Sequence, residues 1–283
     1  MVRQQLLRMR TWWWLIAVPV ALLLLPTETA SSAAFLLGVA SMIGAGLGLR
    51  RAPIVPKGFG AIYVGGVLLL VAMVARSIEA AATGIAFPYP SLADAPTVAG
   101  YLVVIYGTVT LARARRAFGG QGDAVDTLIL AIAFAAPFWI GVLGAYFADS
   151  SYTVEHRVLS GIYAATEVAF AAVVFRLAAG PGLRTKAYRY IATSIAAITL
   201  LDVVAILDTI GQPGEPLIVP LAAIAFIAFY KACTAGDLDK IIERPPASDP
   251  RLTTSRLATI TLGVLSIPSS VAFSWYHATS VRA

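Results

Sequence analysis

Nine apolar stretches follow one another along this chain, and they constrain its fold more than any other feature. They run over about 12–29, 30–49, 59–82, 93–112, 123–148, 156–178, 186–209, 215–234 and 257–275. A helix of about 20 apolar residues, rising about 1.5 Å per residue, crosses the hydrocarbon core of a bilayer. Only 13% of residues are charged, against about 25% in soluble domains. That deficit suits a chain whose solvent is lipid. The expected fold is all-α: a polytopic membrane bundle of about nine helices, forming one transmembrane domain over 1–283 with a polar loop at 235–256.

The first stretch is the shortest in apolar content. Its uninterrupted part runs from Trp12 to Leu25 and meets Pro26. Arg3, Arg8 and Arg10 before it, and Ser31-Ser32-Ala33 after it, would also suit a cleaved signal peptide. A retained helix is the favoured reading, because a second span follows at once. Downstream orientation is the same in both cases.

Lysine and arginine set that orientation, since short cytoplasmic loops carry them in excess. Arg3, Arg8 and Arg10 precede the first stretch, and Arg50, Arg51 and Lys57 follow the second. Arg113, Arg115 and Arg116 follow the fourth. The 176–189 and 231–256 regions carry the rest of this group, which holds 18 of the 21 basic residues. Arg76, Arg157 and Arg282 fall on the opposite side, together with Glu28, Asp94, Asp149, Glu155, Asp208 and Glu215. The expectation is a multi-pass cell-membrane protein with a cytoplasmic amino terminus and an extracytoplasmic carboxyl terminus. Four of the five tryptophans, Trp12, Trp13, Trp14 and Trp275, lie at predicted helix ends, where an aromatic belt sits. The inner loop "TAGDLDKIIERPPASDPRLTTSR" has room for a brief amphipathic helix at the membrane surface.

Several chemistries drop out. The net charge of +6 is scattered in small clusters, unlike a nucleic-acid face. One cysteine, Cys233, allows neither an intrachain disulfide nor a cysteine-ligated metal site. The sequence offers no metalloprotease HExxH, no Gly-x-Ser-x-Gly elbow and no Walker loop. No lysine lies deep in a late span, as a retinal protein would need. No catalytic residues, metal or cofactor are therefore expected. Ala40, Gly44 and Gly48 recur every four residues in the second stretch. Such spacing lets two helix backbones approach closely, within the chain or in a homo-oligomer.

The connection "FPYPSLADAP" at 87–96 lies on the predicted outer side. Pro88 and Pro90 stop one helix. Ser91 and Asp94 have the spacing of a capping box. Asp94 as the N-cap itself, with Pro96 in the first turn, avoids a lost hydrogen bond and is the preferred placement. Either way Asp94 sits at the positive end of the helix dipole. The plain reading is a stop and a start. The functional reading is a rigid outer lip, with Tyr89 and Asp94 beside Arg76 and Glu79. Arg76 and Glu79 are three apart and could also pair with each other.

"PYPSLAD" at 88–94, "AGY" at 99–101 and "LARARR" at 111–116 carry a resemblance. So do "GDAVDTLIL" with Trp139, "YAATEVAF" at 163–170 and "LLDVVAILD" at 200–208. Together they resemble the multi-helix membrane regions of actinobacterial signalling proteins with cytoplasmic diguanylate cyclase and phosphodiesterase (GGDEF and EAL) domains. The likeness covers about 60–280. It implies an input module acting with a cytoplasmic or membrane signalling partner. Asp94, Asp126, Glu167 and Asp202 match that pattern's recurring acidic positions. Pro96 departs from it, and no catalytic domain follows before Ala283.

Carboxylates inside spans are costly, about 2.5–3.5 kcal/mol at a helix centre on insertion scales. Asp126, with Asp123, is expected to cap its helix. Glu167 and Asp202 are expected to face the bundle interior, bonded to hydroxyls such as that of Tyr163 or met by Arg76. The candidate ligand-binding residues are thus Arg76, Tyr89, Asp94, Tyr163, Glu167 and Asp202. The competing function is a small-solute or proton-coupled transporter that uses Glu167 and Asp202.

Overall fold

The computed structural model describes residues 13–84, 90–114, 131–132, 135, 153–179, 185–209 and 215–243. Among them are seven α-helices and no strand: α1 (Trp14–Leu23), α2 (Thr27–Arg51), α3 (Phe59–Thr83), α4 (Asp94–Ala114), α5 (Val154–Ala179), α6 (Lys186–Thr209) and α7 (Glu215–Cys233). A 3₁₀ turn, Asp239–Ile242, follows. Thr29–Arg51 of α2, all of α3 and α4, and Pro216–Cys233 of α7 are long and apolar enough to cross a membrane. This is the make-up of a membrane protein. The predicted spans at 123–148 and 257–275 lie outside the described residues, apart from helical turns at 131–132 and 135.

The first predicted span is shorter than expected. α1 has ten residues, or about 15 Å, half the thickness of a hydrocarbon core. Pro26 is the reason. It brings no N–H and steers Leu25 away from helical geometry. It sits instead as the extended residue (φ −55°, ψ 143°) from which α2 starts.

The chain forms two compact units, 1–55 with 184–241, and 56–183 with 242–283. In the first, α7 packs against α1, α2 and α6. Small side chains make this close fit. Ala223 of α7 meets Leu22 of α1 and Ala30 and Ala34 of α2. α2 and α7 run parallel. A Cβ on Gly44 would stand 2.6 Å from the Tyr230 ring, and one on Gly48 would stand 2.8 Å from the Cys233 carbonyl oxygen. Two of the three small residues, Gly44 and Gly48, thus serve close packing inside the chain, and Ala40 is exposed. The reason is geometric: the tight stripe is turned toward α7 and passes through Ser41 and Ala45, both buried. α6 runs antiparallel to α7, and Ser194 Oγ donates to the Ala225 carbonyl at 2.8 Å.

The amino terminus of α6 is capped from far along the chain. Asp237 accepts from the Lys186 N–H at 2.7 Å and from the Ala187 N–H at 3.1 Å. Thr185 Oγ1 accepts from the Tyr188 N–H. The start of the polar loop is therefore built into the unit, with Leu238 and Ile241 buried. Asp237→Ala leaves two helix-end donors without their acceptor. It is expected to cost about 1–2 kcal/mol, whereas Asp237→Asn should keep most of the cap. Thermal melting of the detergent-solubilised protein measures both.

In the second unit α4 lies between α3 and α5. α3 and α4 are antiparallel and touch through two pairs of glycines seven apart, Gly58, just before α3, and Gly65 within it against Gly107 and Gly100 of α4. On the other side of α4, Tyr101 meets Phe170 of α5 edge to face, ring centres 6.1 Å apart.

Candidate functional site

The turn that leads into α4 presents backbone N–H groups at Ser91, Leu92 and Ala93 that no helix satisfies, and backbone donors of this kind need acceptors. The sequence supplies three side-chain acceptors. Asp94 Oδ2 accepts from the Ser91 N–H at 2.6 Å. Glu79 Oε2, from α3, accepts from the Leu92 N–H at 3.1 Å. Ser91 Oγ accepts from the Ala93 N–H at 3.1 Å. A tight turn closed by the Asp94 N–H on the Ser91 carbonyl leads in, and the first full helical bond runs from Thr97 N–H to the Ala93 carbonyl.

This corrects the preferred sequence reading in part. Asp94 is the first residue of α4, and the Thr97 N–H that an N-cap Asp94 would hold goes to the Ala93 carbonyl instead. Its carboxylate reaches back, as in a capping box. Pro96 still falls within the first turn, where its missing N–H costs little. The turn that precedes α4 lets both features coexist.

The same carboxylate then joins three helices. Arg76 Nη2 of α3 donates to Asp94 Oδ1 at 3.2 Å. The Tyr163 hydroxyl of α5 donates to the same oxygen at 2.7 Å. Asp94 is 4% exposed, while the Arg76 side chain is 35% exposed. A buried carboxylate needs hydrogen-bonding partners, and here it has one cation, one hydroxyl and one backbone amide. Glu79 does not take the intrahelical pairing open to it; Arg76 turns to Asp94 and Glu79 to the backbone.

Of the six candidate residues, the structure brings together Arg76, Asp94 and Tyr163. Tyr89 lies outside the described residues. Glu167 is half-buried on α5, one turn beyond Tyr163, and the Tyr163 hydroxyl donates to Asp94. Asp202 belongs to α6 in the other unit, and its side chain lies outside the described residues, as do Asp123 and Asp126. Sequence reasoning missed the Glu79 bond. The signal was its acidic type near the end of α3, about a dozen residues before the capping-box spacing of Ser91 and Asp94.

Chemically, the cluster is a pinned ion pair with one accessible edge. Arg76 carries five N–H donors, and one contacts Asp94 through Nη2. The cluster offers charge and hydrogen bonds rather than a nucleophile with an adjacent base. Comparison with protein-family models, with curated proteins and with solved structures finds no match for this chain.

Proposed function

We propose that the chain is an integral membrane signal-input or partner-binding module whose input acts on the Arg76–Asp94–Tyr163 cluster. The observation that carries this is the triple engagement of Asp94. One carboxylate fixes α3, the entry of α4, and α5, so anything that competes for Arg76 changes how three helices meet. A static surface loop would need only the cap. The resemblance to membrane regions of diguanylate cyclase and phosphodiesterase proteins supports the same reading, because those regions are joined to a cytoplasmic output.

The experiment is genetic and chemical. Deleting the gene in its host should change the cellular level of cyclic diguanylate. Restoring it with Arg76→Gln should leave the membrane amount of protein near wild type yet fail to restore that level. An unchanged level in the deletion strain overturns the reading.

The proposal includes a topology of nine spans in the cell membrane, amino terminus inside and carboxyl terminus outside. The distribution of lysine and arginine supports it. Alkaline phosphatase fused after Ala283 should be active, and fusions within 237–256 should be inactive. The reverse pattern would discard the orientation.

A further inference from the structure

In the first unit, α2 and α7 finish at the same end and α6 begins there. Gly48 of α2 lies against Cys233 at the end of α7. Asp237, four residues on, holds the first amides of α6. Six cations belong to this end: Arg50, Arg51, Lys186, Arg189, Lys231 and Lys240. Five are exposed, and Lys231 is half-buried beside the Tyr230 ring. Among the described residues none of the six forms an ion pair. The carboxylate best placed to neutralise them, Asp237, is committed to backbone N–H groups. Asp239 and Glu243 are the other described acids in this stretch of chain, fewer than the six cations. The result is a concentration of uncompensated positive charge.

A second observation concerns what leads up to it. Leu36, Ile43 and Leu47 of α2 are 67%, 59% and 46% exposed, and Ala40 between them is exposed. Their spacing of three and four places them on one face of the helix. Arg50 continues the same face by three residues. An apolar track that ends in arginines has the two-part chemistry of a phospholipid. Free phosphate would use the cations and leave the track without a role.

We propose that this end of the first unit binds the phosphate of an anionic phospholipid, with an acyl chain along the Leu36–Leu47 face of α2. Arg50 and Arg51 at the end of α2 meet the headgroup, and the other cations of this end add a favourable field for it. Juxtamembrane basic residues attract anionic lipid by charge; here the end of α2 sets Arg50 and Arg51 at the foot of one apolar face.

The test uses the full chain in nanodiscs of phosphatidylcholine, with or without phosphatidylglycerol, and counts retained lipid by native mass spectrometry. Phosphatidylglycerol should be retained in preference to phosphatidylcholine. Each lost cation should weaken retention about fivefold, so Arg50→Gln with Arg51→Gln should weaken it about 25-fold. If that variant fails to fold, Arg50→Gln and Arg51→Gln made singly provide the same test, at about fivefold each. Arg113→Gln, exposed at the end of α4, should have no effect. Equal retention of both lipids, or folded variants that keep phosphatidylglycerol, overturns the proposal. Displacement of the lipid by millimolar inorganic phosphate would also overturn it, in favour of a free-phosphate site.

Discussion

Gly107→Ala should destabilise the protein by about 2 kcal/mol, although alanine is the better helix former by about 1 kcal/mol. The sign follows from what surrounds the position. A Cβ on Gly107 would lie 2.7 Å from the Gly58 carbonyl oxygen and 2.8 Å from the Ile62 nitrogen. Both are backbone atoms and cannot rotate away. The helices must separate, and overpacking of this kind costs about 1–3 kcal/mol, sometimes more. Gly65→Ala meets the same obstacle, with the Gly100 carbonyl at 2.8 Å and the Val104 nitrogen at 3.0 Å. Gly58 adds a backbone reason, since its φ of 98° is left-handed and suits no side chain well. Gly60 is the control. A Cβ there meets nothing within 4 Å, so Gly60→Ala should be neutral or stabilising by up to about 1 kcal/mol. Thermal melts in one detergent compare all three variants. Equal stability of Gly107→Ala and Gly60→Ala would mean that α3 and α4 are not in contact through these glycines. Gly107→Leu, which adds three more carbons at the same place, should abolish recovery of folded protein.

The comparison of these glycines with those of α2 explains what the sequence could reveal. Apolar length and helix-breaking prolines made α2, α3, α4 and α7 legible, because those signals are local. Four-residue spacing in α2 was legible as close packing, but its partner was not. Gly44 and Gly48 meet α7 nearly two hundred positions later, and nothing nearby in sequence names Tyr230 or Cys233. The seven-residue spacing of Gly58 with Gly65, and of Gly100 with Gly107, escaped notice because glycines are common in apolar helices. Only pairing of the two helices gives the repeat a meaning. The α1 boundary failed for a different reason. Its hydropathy continues to Leu25, while the backbone obeys Pro26.

The site divides along the same line. The Ser91-x-x-Asp94 spacing announced a helix start, and the proximity of Arg76 to Asp94 was legible from a short connection between two helices. That Tyr163 would reach Asp94 was not. It lies 69 residues away, and its nearest acid in sequence at helical spacing is Glu167. Periodicity gives the face of a helix but not the neighbour across from it. The Asp237 cap on α6 is a similar case, with 50 and 51 residues between donors and acceptor.

Asp94→Ala is expected to cost about 3 kcal/mol, more than a helix cap alone, which is typically about 1 kcal/mol. The truncation removes the acceptor for the Ser91 N–H, for the Tyr163 hydroxyl and for Arg76 together. Hydrogen bonds to a charged group contribute about 1.5–3 kcal/mol each, yet the three share one carboxylate and do not add in full. Arg76 is about a third exposed, so water can replace part of what it loses. Asn at this position keeps one carbonyl oxygen and is a good cap. Asp94→Asn should therefore cost about 1 kcal/mol and mainly weaken the link to Arg76. Tyr163→Phe should cost about 1–2 kcal/mol, since the buried carboxylate loses a donor. In a double-mutant cycle, Tyr163→Phe should matter much less once Asp94 is Ala. If the two changes simply add, the hydroxyl and the carboxylate do not cooperate, and the three-helix junction is only a cap. The same variants separate structure from signal. Asp94→Asn should melt close to wild type. If the charge of Asp94 carries the input, Asp94→Asn will nevertheless match the deletion strain in cyclic diguanylate level. If Asp94→Asn both melts and signals like wild type, Asp94 serves the fold alone, and the input must act elsewhere.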